Sequence, residues 1–146
     1  MSEIINGKEV AKALRDSLTA EVVELGAKYG RTPNLVVILV GEDPGSVSYV
    51  TGKAKAATEC GIRNKTLRYP DTITEDELLS IIAELNGDED VDGILVQLPL
   101  PKHIDEQRVI DAIAVEKDVD AFHPSNVASL WLKTPCTQPC TPKGII

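Results

Sequence analysis

The sequence predicts an α/β fold: a three-layer domain in which a mostly parallel sheet is flanked by helices. Segments with a helical period alternate with short apolar runs, and this alternation favours parallel strands joined by right-handed helical crossovers. The chain has 146 residues, which is enough for one well-packed domain and too few for two ordinary ones. The predicted strands are residues 34–40, 63–69 and 91–98.

The first predicted element is a long amphipathic helix over residues 7–29, capped by Asn6 and ended by Gly30. Apolar side chains recur along one face at helical spacing, while charged residues lie off it. That face consists of Val10, Leu14, Leu18, Val22 and Leu25. We expect this helix to cover one side of the sheet.

Residues 34–40 (NLVVILV) are dense in Val, Ile and Leu, which is typical of a buried strand, and the run stops at Gly41. Asp43 is a good N-cap for the next helix, and Pro44 fits its first position, where no backbone N–H is needed. We expect this helix to continue to about Cys60.

Tyr49 and Lys53 are the best candidates for chemistry in the sequence. They are four residues apart on this helix, and Ser46 precedes Tyr49 by three, so the three side chains share one face. The face lies near the C-terminal end of a strand, where open α/β sheets bind ligands. On spacing alone, the commoner alternative is that Tyr49 packs on the sheet and Lys53 is solvated.

A further helix and a third strand complete the predicted α/β core. Thr74 and Glu77 form a capping box that opens a helix over about 74–87. Residues 91–98 (VDGILVQL) are apolar enough for a central strand covered on both faces, and the prolines that follow end it. Gln97 is therefore expected at the same edge of the sheet as Tyr49 and Lys53, although a neutral amide there often only satisfies a loop carbonyl.

The last third of the chain is predicted to be less regular. Asp105 caps a short helix, and residues 116–124 form a polar loop. Asp118 and Asp120 are two apart, so in extended backbone they point the same way, although both often simply cap turns. His123 has no evident partner. The tail, residues 132–146, ends on Gly-Ile-Ile without a terminating signal, as expected of a chain that stops inside an element.

Composition excludes several classes of function. The net charge of −8 argues against a nucleic-acid partner, because such binding needs a basic surface. No stretch approaches the ~20 apolar residues of a membrane helix, and the N-terminus lacks the pattern of a signal peptide, so a cytoplasmic location is expected. With only two histidines, a metal site is not expected, and Cys60, Cys136 and Cys140 are interpreted as reduced thiols, the last two outside any helix.

Four motifs occur in an order and at a spacing that resemble the bifunctional methylenetetrahydrofolate dehydrogenase/methenyltetrahydrofolate cyclohydrolase family. They are Gly41-Glu-Asp-Pro-Gly-Ser46 with Tyr49-Val-x-x-Lys53, Asp92-Gly-Ile-Leu-Val-Gln-Leu-Pro-Leu-Pro101, Lys117-Asp-Val-Asp120 and Pro139-Cys-Thr-Pro142. The resemblance covers essentially the whole chain. It implies that residues 1–146 form the folate-binding catalytic domain, with the fold of an amino-acid-dehydrogenase N-terminal domain.

The resemblance also implies roles for individual residues. Lys53 resembles the family's catalytic lysine, a proton donor and acceptor in the cyclohydrolase step, and Gln97 resembles the glutamine that hydrogen-bonds it. Tyr49 resembles the tyrosine that stacks on the folate. Burial beside an aromatic ring and a neutral amide would disfavour the charged form of a lysine, as proton transfer near neutral pH requires.

Substrate contacts are implied for Asp120 as well, and for Leu98 and Pro99 together with Tyr49 and Gln97. Asp120 resembles the aspartate that binds the pterin's amino and ring N–H groups, a charge-assisted and directional contact. The family reaction is NADP-dependent oxidation of 5,10-methylenetetrahydrofolate to the methenyl form, followed by hydrolysis to 10-formyltetrahydrofolate.

Three departures from the family pattern matter. Ala121 and Ala128 stand where the family usually has glycine, and a positive φ at either would cost alanine roughly 1 kcal/mol. No Gly-rich dinucleotide turn occurs, and the C-terminal Rossmann half is absent. NADP is thus expected for the full-length enzyme and not for this chain alone. The family usually dimerises through that half, so the fragment's oligomeric state stays open, and a non-catalytic folate-binding or dimer-forming module is the alternative function.

Overall fold

The computed structural model describes residues 6–145, and its three-layer α/β architecture confirms the predicted fold class. Helices lie on both faces of a short parallel sheet. A single turn of 3-10 helix follows α4 at Val115–Lys117. The elements are α1 Gly7–Tyr29, β1 Asn34–Val40, α2 Pro44–Glu59, β2 Arg63–Tyr69, α3 Glu75–Gly87, β3 Gly93–Val96, α4 Glu106–Ala112, α5 Pro124–Leu132 and α6 Cys140–Ile145.

Strand β1 is the centre of the described sheet, whose order is β2-β1-β3 with both pairings parallel. The prediction of a central third strand over 91–98 is wrong, because β3 is only four residues long and lies on one side of β1. Just before β3, the Asp92 backbone N–H donates to the carbonyl of Asn34, and its carboxylate accepts hydrogen bonds from Arg31 and from the backbone N–H of Asn34. Strand β3 is nevertheless fully buried, as predicted.

Alternate side chains of β1 form two separate cores. Val36, Ile38 and Val40 belong to the larger cluster, which α3 and α4 cover. Val37 and Leu39 point to the other face, into a smaller cluster that includes Val50 of α2. Because successive strand side chains alternate between faces, this one apolar run joins all three layers.

The prediction that α1 covers one side of the sheet is wrong. Only Val22 of its apolar face is buried, whereas Val10, Leu14, Leu18 and Leu25 are exposed. The reason is that α2 already occupies this face of the sheet, so α1 packs outside α2, where Val22 lies against Gly61. An apolar stripe along α1 therefore has no cover within residues 6–145.

Two helices near the C-terminal end were not predicted. Helix α5 begins directly after His123, whose ring Nδ1 accepts a hydrogen bond from the backbone N–H of Ser125. Pro124 occupies the first helical position, a start signal that the sequence contained. Cys140 opens the short helix α6, so the expectation that it lies outside any helix is wrong.

The described residues contain no arrangement suited to a structural metal or a membrane span. Cys60, Cys136 and Cys140 are free thiols. Between residues 6 and 145, no group of three or more His, Cys, Asp or Glu side chains could hold a metal ion. No helix in that range has the length and apolar character needed to cross a bilayer.

An ion-pair cluster joins the elements at the N-terminal end of the sheet. Arg63 of β2 donates two hydrogen bonds to the Asp90 carboxylate, at 2.7 and 2.9 Å, and Arg31 donates to Asp92. The hydrogen-bonded Arg63 guanidinium holds the pKa of Asp90 below its ordinary value of 3.8. The cluster therefore ties the loop before β3 to β2 and to the start of β1.

We predict that Asp90→Asn lowers the denaturation midpoint at pH 7 and that this difference shrinks in acid. A carboxyl whose pKa is lower in the folded state than in the unfolded state stabilises the fold above its unfolded pKa. That contribution is lost as the pH falls through the folded value. Urea unfolding at pH 7 and below pH 4, with Glu89→Gln as a neighbouring control, measures it. An equal deficit at both pH values would contradict the prediction.

A second prediction concerns the contact between Gly93 and Val119. A Cβ on Gly93 would lie 2.5 Å from Cγ1 of Val119, which is closer than atoms can pack. Gly93→Ala is therefore expected to destabilise the fold by about 1–3 kcal/mol. Adding Val119→Ala removes the clashing atom and should recover part of the loss in a double-mutant cycle.

The matched control is Gly52→Ala in the interior of α2, where an added Cβ meets nothing within 4 Å. This change should stabilise the protein by about 0.5–1 kcal/mol through helix propensity. If Gly93→Ala unfolds at the wild-type denaturant concentration, Val119 does not pack on Gly93 in solution.

Candidate functional site

The candidate site lies at the C-terminal end of the sheet, where β1 turns into α2. Gly41 has a φ of 77°, and its N–H donates to the carbonyl of Tyr69, which joins the ends of β1 and β2. The Asp43 carboxylate then caps α2 by accepting a 2.8 Å hydrogen bond from the backbone N–H of Ser46, and this bond lowers the pKa of Asp43. The predicted capping of α2 is confirmed.

Tyr49 and Lys53 form a cation–π pair on this helix. The Nζ atom of Lys53 lies 4.5 Å from the centroid of the Tyr49 ring. The Tyr49 side chain is 60% exposed, whereas Lys53 is half-buried and Ser46 is buried. Tyr49 therefore does not pack on the sheet, which was the commoner alternative, and its ring is open to a flat partner. A cation held over a ring at this distance is attracted by the ring's quadrupole.

Gln97 follows β3 at the same end of the sheet, and its backbone N–H donates to the carbonyl of Ile38. Its side-chain Nε2 donates to the Leu98 carbonyl at 2.6 Å, while Oε1 is buried and accepts no hydrogen bond from any described residue. Between the described residues Gln97 and Lys53 the structure shows no hydrogen bond, and the contact that the resemblance implies is therefore not observed. The unpaired oxygen is an acceptor available to a donor, since a buried polar atom without a partner is costly.

Asp120 lies opposite α2 on the segment after the 3-10 turn. Burial raises the pKa of Asp120, the Lys53 ammonium partly offsets this rise, and the Asp118 carboxylate adds to it. Lys53 and Asp120 are therefore within electrostatic reach of each other. Asp118 and Asp120 line one small cavity of about 10 Å³ together with Leu98.

The structure also places the remaining residues that the sequence singled out. Pro99 is exposed and is joined to Leu98 by a cis peptide bond. Ala121 is 1% exposed and has a φ of 58°, so this family glycine position does require the left-handed region. Ala128 lies within α5, where backbone is helical, and needs no such freedom.

Asp118 and Asn126 are buried polar residues that the sequence did not single out as a pair. Asn126 donates a 3.0 Å hydrogen bond from Nδ2 to the Asp118 carboxylate, and the backbone N–H of His123 donates to the same oxygen at 2.9 Å. Recognising α5 from His123-Pro124 would have placed Asn126 in its first turn. The partner of Asn126 could not have been found without the tertiary structure.

The N-terminus of α2 does not fit the pyrophosphate of a dinucleotide. Pyrophosphate binding uses free N–H groups at a helix N-terminus reached through a Gly-rich turn. At α2 that position is taken by the helix's own Asp43 carboxylate, and an added Cβ on Gly45 would come within 3.1 Å of it. An anionic ligand would meet like charge there.

Comparison with known proteins gives one consistent result. Residues 5–120 match the family described as tetrahydrofolate dehydrogenase/cyclohydrolase, catalytic domain. The bifunctional protein FolD of Exiguobacterium sp. is 54% identical over 146 residues, which are 100% of this chain and 52% of that protein. FolD of Listeria innocua is 50% identical over 146 residues, covering 100% of this chain and 51% of its own length.

Solved structures agree with the sequence comparison. The bifunctional FolD enzyme of Campylobacter jejuni has a TM-score of 0.92 at 44% identity, over 95% of this chain and 49% of that one. The Trypanosoma brucei methylenetetrahydrofolate dehydrogenase-cyclohydrolase, solved with NADP and an inhibitor, has a TM-score of 0.93 at 39% identity, over 99% and 50%. The chain thus spans about half the length of the curated relatives it matches. It belongs to the tetrahydrofolate dehydrogenase/cyclohydrolase family.

Proposed function

We propose that this chain supplies the substrate site and the catalytic lysine of a bifunctional enzyme of one-carbon folate metabolism. The reactions are oxidation of 5,10-methylenetetrahydrofolate to the methenyl form with NADP and hydrolysis of that product to 10-formyltetrahydrofolate. The observation that carries the proposal is the Lys53 amine held over the Tyr49 ring, within electrostatic reach of Asp120, at the C-terminal edge of the sheet.

Substrate recognition is assigned to Asp120 and Tyr49. The aminopyrimidine edge of a pterin presents neighbouring N–H donors, which a carboxylate accepts as charge-assisted hydrogen bonds. The exposed Tyr49 ring offers a flat face to the folate, and stacking is favourable for the partly cationic methenyl form. Leu98 lines the cavity beside Asp120, and we assign it and the adjoining Pro99 to the apolar wall of the site.

Lys53 is assigned the proton transfers of the hydrolysis. The oxygen of a water molecule bonds to the bridging methenyl carbon, the bond from that carbon to N5 breaks, and N5 receives a proton while another leaves to solvent. The Lys53 amine, placed beside the substrate, can accept a proton from the attacking water and return one to N5 as the bond from carbon to N5 breaks. The unpaired Oε1 of Gln97 is the acceptor we assign to orienting that amine.

The dehydrogenase reaction needs a dinucleotide, which supplies the hydride acceptor when bound. Because the Asp43 carboxylate already occupies the N-terminus of α2, we assign NADP to the half of the relatives that this chain does not match. The same half is assigned the homodimer contacts and is expected to cover the exposed apolar residues of α1 and α5. Residues 1–146 are the folate-binding catalytic domain in this scheme.

The central test measures hydrolysis of methenyltetrahydrofolate by the full-length gene product, monitored through the loss of the absorbance of methenyltetrahydrofolate. Lys53→Met should lower kcat by about 100-fold or more, because general acid–base catalysis typically contributes 10²–10⁴-fold. Lys55→Met is the matched control, since Lys55 lies on the same helix but is exposed. It should keep activity within about twofold.

Equal rates for wild type and Lys53→Met would remove Lys53 from the mechanism. Binding of folate by the wild type without turnover would favour the alternative, a non-catalytic folate-binding or dimer-forming module. The left-handed Ala121 is the observation that favours this alternative, since that conformation costs a non-glycine residue about 1 kcal/mol directly beside Asp120.

A further prediction tests the electrostatic link between Lys53 and Asp120. Removing the ammonium in Lys53→Met should raise the pKa of Asp120 further, because the Lys53 charge now lowers it. Carboxyl ¹³C NMR titration measures this directly, with Lys55→Met expected to leave the Asp120 curve unchanged. An unchanged Asp120 pKa in Lys53→Met would place the amine out of electrostatic reach of the carboxylate.

A further inference from the structure

The segment that carries Asp120 is attached to its surroundings on both sides. Before it, Lys117 Nζ donates hydrogen bonds of 3.0, 2.8 and 2.8 Å to the carbonyls of Leu85, Asn86 and Asp88 at the end of α3. Carbonyls at a helix C-terminus have spare acceptor capacity, and the lysine adds a charged donor to three of them at the end of α3. The segment therefore starts from a fixed point.

The backbone next to Asp120 is held against the sheet. Asp118 forms a parallel bridge with Ile94 of β3, and Val119 packs over Gly93, where an added Cβ would lie 2.5 Å from its Cγ1. Strand alternation then sends Asp118 and Asp120 to the opposite side from Val119. Both residues contribute to the lining of one small cavity.

After Asp120 the chain reverses through a left-handed residue. Ala121 has a φ of 58°, a conformation that costs a non-glycine residue of order 1 kcal/mol and persists only when neighbouring contacts enforce it. Those contacts converge on Asp118. One oxygen of its carboxylate accepts from His123 N–H at 2.9 Å and from Asn126 Nδ2 at 3.0 Å, and Asn126 also donates to the Val115 carbonyl at 3.2 Å.

Asp118 and Asn126 are themselves shielded from solvent, at 4% and 5% exposure. They are therefore not placed to touch a substrate. A buried charge–amide hydrogen bond is strong, and it spans the turn at Ala121 from one side to the other.

We propose that Asp118 and Asn126 are positioning residues that close the 118–126 turn and thereby fix the direction of the Asp120 carboxylate toward the substrate. The pair acts on substrate binding through Asp120 and takes no part in proton transfer. This inference rests on the function proposed above for Asp120. It assigns the orientation of Asp120 to two buried side chains, Asp118 and Asn126, that do not touch the substrate.

Electrostatics gives the pair a second, separable effect. The groups that act on Asp120 are Lys53 from α2 and Asp118 from its own segment, and the Asp118 charge raises the pKa of Asp120. Asp118→Asn keeps an oxygen that accepts both hydrogen bonds and removes only the charge. Asp118→Ala and Asn126→Ala remove the bonds themselves.

The experiment compares these variants in the full-length gene product by methenyltetrahydrofolate hydrolysis and by ¹³C titration of Asp120. Asn126→Ala and Asp118→Ala should raise KM about tenfold with kcat within about twofold, as expected when a charged hydrogen-bonding group is misplaced. Asp118→Asn should keep KM within about threefold and lower the pKa of Asp120. Ser125→Ala, an exposed neighbour in the first turn of α5, should change neither quantity.

Each outcome decides a different question. If Asn126→Ala and Asp118→Ala retain the wild-type KM, the positioning role is overturned. If Asp118→Asn leaves the Asp120 titration unchanged, only the electrostatic effect of the Asp118 charge is overturned. A wild type that neither hydrolyses nor binds the folate overturns the proposed function instead. In that case a fall of the Asp120 pKa toward its ordinary value in Asn126→Ala still supports the role of the pair, because the freed carboxyl becomes solvated. If the alanine variants fail to fold, Asn126→Ser decides, because its shorter side chain withdraws the donor from the Asp118 carboxylate and should raise KM in the same way, whereas a wild-type KM would overturn the positioning role.

Discussion

The burial of β1 on both faces is the constraint on which the rest of the structure depends. Val36, Ile38 and Val40 face one core while Val37 and Leu39 face the other, so the strand has no solvated side and a one-residue shift in register would exchange the two sets. Parallel pairing then brings the ends of β1 and β3 to the same edge. Tyr49, Lys53 and Gln97 all follow strand ends at that edge, the first two on α2 and the third directly after β3.

Local signals predicted the elements on which this constraint acts. Strands β1 and β2 begin and end at the predicted residues, and α2 begins after Asp43 with Pro44 at its first position. These features depend on nearby residues: an apolar run, a capping carboxylate and a proline that needs no donor. The contact between Tyr49 and Lys53 is of the same kind, because four residues on a helix bring two side chains together.

Features that depend on distant residues were predicted less well. The apolar stripe of α1 indicated a buried face but could not show that α2 would occupy the sheet first. The contact of Asp92 with Arg31, a residue 61 positions away, was also not predictable from the local pattern around β3. Likewise, Asp120 could be placed near Lys53 only by family resemblance, and the Asp118–Asn126 pair was found only once α5 was seen to fold over the turn. The site thus combines a locally encoded half, on α2, with a half assembled by long-range contacts.

The Asp43 cap at the start of α2 has a consequence for how a ligand approaches this edge. The helix dipole would normally attract an anion to that terminus, but the protein's own carboxylate already neutralises it. The nearest positive charge on the same helix is then Lys53, which faces the Tyr49 ring. If the pterin ring of the proposed folate substrate stacks on Tyr49, the Asp43 carboxylate would repel the acidic end of that molecule from the strand-to-helix corner.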